Sequence, residues 1–127
     1  GKHRLSQECL EKDVEESLQR LGTHYFDVLL LHRDDPTKDV RDVVRWMHAL
    51  FEKGSFRSWG TSNWTPDRRN ALVLAASEFA LTPPTADSPQ RSLAVPAIAV
   101  WPDSTSADIA TIRHYRQQEW CNVFGWA

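Results

Sequence analysis

The chain is poor in cysteine, poor in glycine and without long apolar runs, and each shortage closes off a class of protein. Its two cysteines, Cys9 and Cys121, lack metal-ligand spacing. Both are expected as free thiols of a reducing, cytoplasmic compartment rather than as a disulfide framework. The 5 glycines form no GxGxxG and no Walker pattern, so neither a Rossmann fingerprint nor a phosphate-cradling loop is expected. There is no nucleophile elbow and no Cys/His metal set. No apolar stretch approaches the roughly 18–20 residues of a membrane span. Residues 1–20 are polar and charged, unlike a secretory leader. A surplus of one charge is missing too: 15 Lys and Arg face 17 Asp and Glu, a net −2. Nucleic acid is therefore not an expected partner.

What is present fits a soluble globular domain. The 127 residues are 41% hydrophobic and 25% charged, which suits one domain or part of a larger one. A start at Gly1 rather than Met reads as a trimmed or partial chain. The 6 tryptophans are many for this length. Most should pack, and a minority should line a pocket.

Periodicity orders the chain. Leu10, Val14, Leu18 and Leu21 form an apolar stripe over Ser6–Leu21. Ser6 can cap that helix, Leu5 and Leu10 can staple it, and Gly22 can end it. Tyr25–Leu31 reads as a strand whose continuous Val28-Leu29-Leu30-Leu31 run implies cover on both faces. Val40, Val43, Val44, Met47, Leu50 and Phe51 make a second helical stripe, stopped at Gly54. Phe56–Thr61 is a second strand. Thr65-Pro66-Asp67 opens a third helix to Ala80, with a hydroxyl cap, proline in the first turn and an acid against the dipole. A poor third strand is expected at Thr85–Ser88, beside Pro83 and Pro84. Residues 91–105 read as a loop. A fourth helix should run from Ser106 or Asp108 to Gln118, and a fourth strand over Asn122–Trp126.

The order αβαβαβαβ repeats at roughly thirty residues, the signature of βα units on a parallel sheet. Such units build open doubly wound sheets or eight-fold barrels. A closed barrel needs roughly 250 residues. Four units cannot close, so the expectation is an α/β partial TIM barrel with open sheet edges.

In parallel α/β folds, sites lie at the C-terminal ends of strands. There the sequence reads His32-Arg33-Asp34-Asp35, then Thr61-Ser62-Asn63-Trp64, then Ser88-Pro89-Gln90-Arg91, with Trp126 in the fourth strand. Each has an ordinary alternative. A histidine after a strand can be structural, Arg33-Asp34-Asp35 can be a local ion-pair and turn cluster, and Ser62-Asn63 can simply turn the chain. Ser88 and Gln90 can be loop residues, and Trp126 can be core. Asn63-Trp64-Thr65 fits the glycosylation pattern, without use in a reducing compartment. His32, His48 and His114 fall on different elements without ligand spacing, so no metal site is expected. His48 reads as a partly exposed helical residue.

The stretches LEKDVEESLQRLGTHYFDVLLLHRDDP and FEKGSFRSWGTSNWTPDR resemble the aldo-keto reductases, and SPQRSLAVPAIAVWP and NVFGWA extend the likeness. The resemblance implies an eight-fold βα barrel of which residues 1–127 hold roughly strands four to seven. It implies NADPH or NADH bound without a Rossmann motif, and hydride transfer between the nicotinamide and a small carbonyl or alcohol. By resemblance, His32 matches the histidine that hydrogen-bonds the substrate carbonyl. Ser62 and Asn63 match the pair holding the nicotinamide carboxamide. Ser88 stands where many members carry a carboxamide-binding glutamine, with Gln90 two residues on, and Trp126 matches the aromatic stacked on the nicotinamide.

The likeness stops at the catalytic acid. The family's tyrosine and its aspartate follow earlier strands; here Tyr25 begins a strand and Tyr115 sits in a helix. Lys2 lies near the position of the family lysine, but GKHRLS does not reproduce its Thr-Lys tip. Arg91 replaces a usual aromatic, and the strand and basic loop that hold the adenosine phosphate are not present. The expectation is an oxidoreductase fragment with weak activity or none as this chain alone. The alternatives are a non-catalytic half-barrel scaffold that self-associates or pairs with another chain through its open edges, and an open doubly wound domain.

Overall fold

The computed structural model describes residues 4–89 together with 113, 117, 121 and 122. Its elements are α1 (Gln7–Leu21), β1 (Phe26–Leu31), α2 (Val40–Glu52), β2 (Phe56–Ser62), α3 (Pro66–Glu78), β3 (Ala86–Ser88) and β4 (Cys121–Asn122). Arg113 and Gln117 are helical, within the expected fourth helix. The rest of that helix, and residues 123–126 of the expected fourth strand, lie outside the described residues.

Local chemistry sets each helix. Ser6 accepts from the Cys9 amide, Asp39 from Arg41 and Thr65 from Arg68, each relieving an N–H that the first turn leaves unpaired. All three helices close with the same paired hydrogen bonds, the amides after the helix reaching back to its last turn. Gly22 N–H donates to Gln19 and Thr23 N–H to Leu18; Gly54 donates to Phe51 and Ser55 to Leu50; Ala80 donates to Ser77 and Leu81 to Ala76. The motif needs a left-handed residue. Gly22 and Gly54 adopt φ of 64° and 74° freely, whereas Ala80 is held at 52°. Ala80→Gly should therefore stabilise the chain by about 1 kcal/mol. The check is a higher urea midpoint at unchanged slope.

The four strands are all parallel and lie in the order β1-β2-β3-β4. Each crossover moves one place in the same direction, with no reversal point, so the sheet is a singly wound barrel arc and not a doubly wound sheet. The helical side holds the core: Leu31 and Trp59 pack with Val43, Val44, Met47 and Leu50 of α2 and with Leu72, Ala75 and Ala76 of α3. The Trp59 indole N–H donates to the Thr82 carbonyl at 3.0 Å.

β1 corrects the expectation of cover on both faces. Val28 is 46% exposed, and Leu29 and Leu30 are only half-buried. The greasy run belongs to an edge strand whose second face meets no other layer among the described residues. The third strand is shorter than expected, three residues rather than Thr85–Ser88, though Thr85 N–H still donates to Trp59 O at 2.8 Å.

Candidate active site

The register aligns the strand tips. Leu31 pairs with Thr61, and Ser62 pairs with Ser88. His32, one residue beyond Leu31, thus falls opposite Ser62, and the three residues form one row across β1, β2 and β3. Side chains alternate along a strand. Thr61 and Asp87 face α3, so Ser62 and Ser88 belong to the opposite face, the concave side of the arc.

Hydrogen bonds tie the row together. The Asn63 side-chain amide donates to the His32 carbonyl at 3.2 Å and to Ser62 Oγ at 3.1 Å. Ser62 Oγ donates onward to the Ser88 carbonyl at 2.9 Å. A carbonyl can only accept, so the Asn63 nitrogen faces His32 and its Oδ1 is left as an acceptor. Asn63 reaches this position with φ of 60°, a left-handed conformation that asparagine tolerates better than other side chains. His32 itself is exposed, and Asn63 and Ser88 are half-buried. The structure thus brings His32, Ser62, Asn63 and Ser88 together. Gln90, Trp126, Lys2 and Tyr115 lie outside the described residues. Tyr25 stands at the far end of β1, where its hydroxyl accepts from Arg57 at 2.8 Å.

Two features around this row were not legible beforehand. The first is the partner of Asp34 on another element. Asp34 takes a two-pronged pair of bonds from Arg68 of α3, at 2.8 and 2.9 Å, and Arg68 also donates to the carbonyls of Asp35 and Lys38. The hydrogen bonds to Asp34 raise the Arg68 pKa above the usual guanidinium range, against a smaller opposing effect of burial. Asp35 does serve the local turn, accepting from the Thr37 amide and hydroxyl. The second feature lies beneath the row. Arg69 and Asp87, 2% and 1% exposed, form an ion pair, and Thr61 Oγ1 donates to Asp87 at 2.8 Å. Burial pushes Asp87 above the ordinary carboxylate range and Arg69 below the ordinary guanidinium range. The only sequence signal for either was the doublet Arg68-Arg69; its partners are 34 and 18 residues distant in the chain. His48 is a half-buried helical residue near Thr82, apart from the row.

Among the described residues, no group of three or more His, Cys, Asp and Glu side chains could hold a metal, and no helix is long and apolar enough to cross a membrane.

Comparison with known proteins gives the class. The aldo/keto reductase family model matches residues 1–94, and the chain belongs to that family. The particular relatives are similar to it in part. A Schizosaccharomyces pombe protein named as a voltage-gated potassium channel subunit beta is 36% identical over 86 residues, 68% of this chain and 25% of its own length. Oxidoreductase YdhF of Escherichia coli is 32% identical over 89 residues, 65% of this chain and 30% of its own. The glycerol dehydrogenase structure from Gluconobacter oxydans overlays 67% of the chain and 24% of its own, at TM-score 0.57 and 24% identity, a likeness of fold. A thermostable aldo-keto reductase solved with the inhibitor epalrestat overlays 67% of the chain and 30% of its own, at TM-score 0.56 and 27% identity. The chain spans about 25–30% of the length of the two curated relatives named here.

Proposed function

We propose that this chain carries the nicotinamide-facing part of an NAD(P)H-dependent carbonyl reductase, with little turnover as this chain alone. The supporting observation is the hydrogen-bonded row of Asn63, His32, Ser62 and Ser88 across three parallel strand tips. The Asn63 amide and Ser62 hydroxyl hydrogens are engaged within the row, so what Asn63 Oδ1 and Ser62 Oγ offer a carboxamide is acceptor capacity for its N–H groups. In this reading the His32 imidazole donates to a small carbonyl substrate, where negative charge develops during hydride transfer. Trp126 stacks on the nicotinamide and Gln90 supplements Ser88, both by family resemblance. NADPH is the proposed cofactor, with NADH as the competing one, and the cytoplasm is the proposed setting.

Low turnover follows from chemistry. No tyrosine stands at the described strand tips, and loss of a general acid typically costs about 10²–10⁴ in rate. The test is saturation-transfer NMR with NADPH on the 127-residue chain. Transfer to the nicotinamide protons is expected, and its loss in Ser62→Ala and Asn63→Ala. No transfer in the parent chain would sink the cofactor reading, and carbonyl reduction at ordinary enzyme rates would sink the low-turnover part. A second reading is a scaffold that pairs through an open edge, and it is motivated by the position of β1 at the end of the strand order. Sedimentation as a folded monomer would count against it.

A further inference from the structure

We propose that Arg68 is a positioning residue for the His32–Asn63 tip, acting through Asp34. The proposal rests on the nicotinamide reading above for its function but on separate geometry for its mechanism. His32 has no secondary structure after it to fix its backbone, because β1 ends at Leu31. It is held from two sides instead. Asn63 grips the His32 carbonyl at 3.2 Å, and Arg68 grips Asp34, two residues further on, with a planar fork.

The same guanidinium donates to Asp35 O at 3.3 Å and Lys38 O at 3.1 Å. It thereby pins the whole β1–α2 connection to the first turn of α3. Its central carbon Cζ also lies 5.5 Å from the centroid of the buried Trp64 ring, and Trp64 follows Asn63 directly. One side chain therefore couples the segment carrying His32 to the segment carrying Asn63. Asp34 and Arg68 have side chains only 11% and 24% exposed, so water competes weakly for the pair. A lysine keeps the charge but lacks the fork and cannot serve four acceptors in these directions.

The experiment is NMR of the isotope-labelled chain for the parent, Arg68→Lys, Arg68→Gln and Asp34→Asn, with three readouts. The first is the Asn63 side-chain amide and His32 ring signals. The second is hydrogen exchange at Thr37 and Lys38 compared with core amides of Trp59 and Thr61. The third is NADPH binding by the same saturation transfer. Arg68→Gln and Asp34→Asn should shift the Asn63 and His32 signals and speed Thr37 and Lys38 exchange by about tenfold or more, the scale of a lost charged hydrogen bond, while the core amides stay protected. Arg68→Lys should recover part of this at most. NADPH binding should weaken in step with the Asn63 shift.

Unchanged Asn63 and His32 signals in Arg68→Gln would overturn the proposal. So would an equal loss of protection throughout the core, which would make Arg68 a general stabiliser. If the parent chain binds no NADPH, the cofactor reading fails, while the first two readouts still judge whether Arg68 positions the tip.

Discussion

Asp87→Asn should destabilise the chain by about 3–5 kcal/mol, because it removes the counter-charge of Arg69 inside the core while leaving the side chain nearly isosteric. Arg69 and Asp87 are almost wholly out of water, on α3 and β3, and Thr61 of β2 donates to the same carboxylate. Two charges at such depth lose most of their hydration, and their attraction offsets that loss only while both are present. Arg69→Met alone should cost as much. The double variant Arg69→Met with Asp87→Asn should recover part of the loss, since no buried charge is then left unpaired. Urea midpoints of the four chains close the cycle. Equal, additive losses in the double variant would refute the coupling.

The pair also fixes a pH dependence. Burial raises the Asp87 pKa in the folded chain. Between the ordinary carboxylate value and this higher one, the folded state keeps a proton that the unfolded state releases. Stability should then fall as pH rises through that window, and Asp87→Asn should flatten the slope.

Gly60→Ala should be the second large effect, about 3 kcal/mol, at the upper end for overpacking. A β-carbon on Gly60 would lie 2.0 Å from the Ala86 carbonyl oxygen and 2.5 Å from its carbon. These are backbone atoms of β3, so no rotamer change relieves the clash. β3 is three residues long and pairs with β2 through Gly60, Thr61 and Ser62. It should be pushed off, and the Ser62–Ser88 hydrogen bond should go with it. Loss of the cross-strand contacts between these two segments in NMR would show the separation. Full retention of them, with an unchanged midpoint, would contradict the argument.

The two predictions mark where sequence reading works and where it stops. Helix ends were legible, because caps act within four residues: Ser6, Thr65 and Gly22 do what their side chains do in any chain. The row of polar residues was legible as a set of strand-tip residues, since polar groups after apolar runs fall at one edge of a parallel sheet. Cover of β1 is not readable from its sequence, because a continuous apolar run records that a strand is greasy and not which layers reach it. The Arg68 partner of Asp34 escaped the sequence for the same reason: charge adjacency in the chain is visible, while a partner on another helix is not.

Ala80 shows a local rule overridden. Propensity alone would extend α3 through an alanine, yet the backbone there turns left-handed to let Leu81 N–H reach Ala76 and to carry the chain towards β3. Gly60 could be flagged in a strand as a point of close approach, but only the pairing with Ala86 says what approaches.

The sequence by itself determined the alternation of helices and strands, the caps, the missing phosphate loop and the polar tips, since each follows from spacing within one element. Only the tertiary structure decided the strand order without reversal, the bond from Asn63 to the His32 carbonyl, and the partners of Arg68 and Arg69. Those depend on which residues parallel crossovers bring side by side, and a crossover joins residues about 30 apart whose pairing no local interaction encodes.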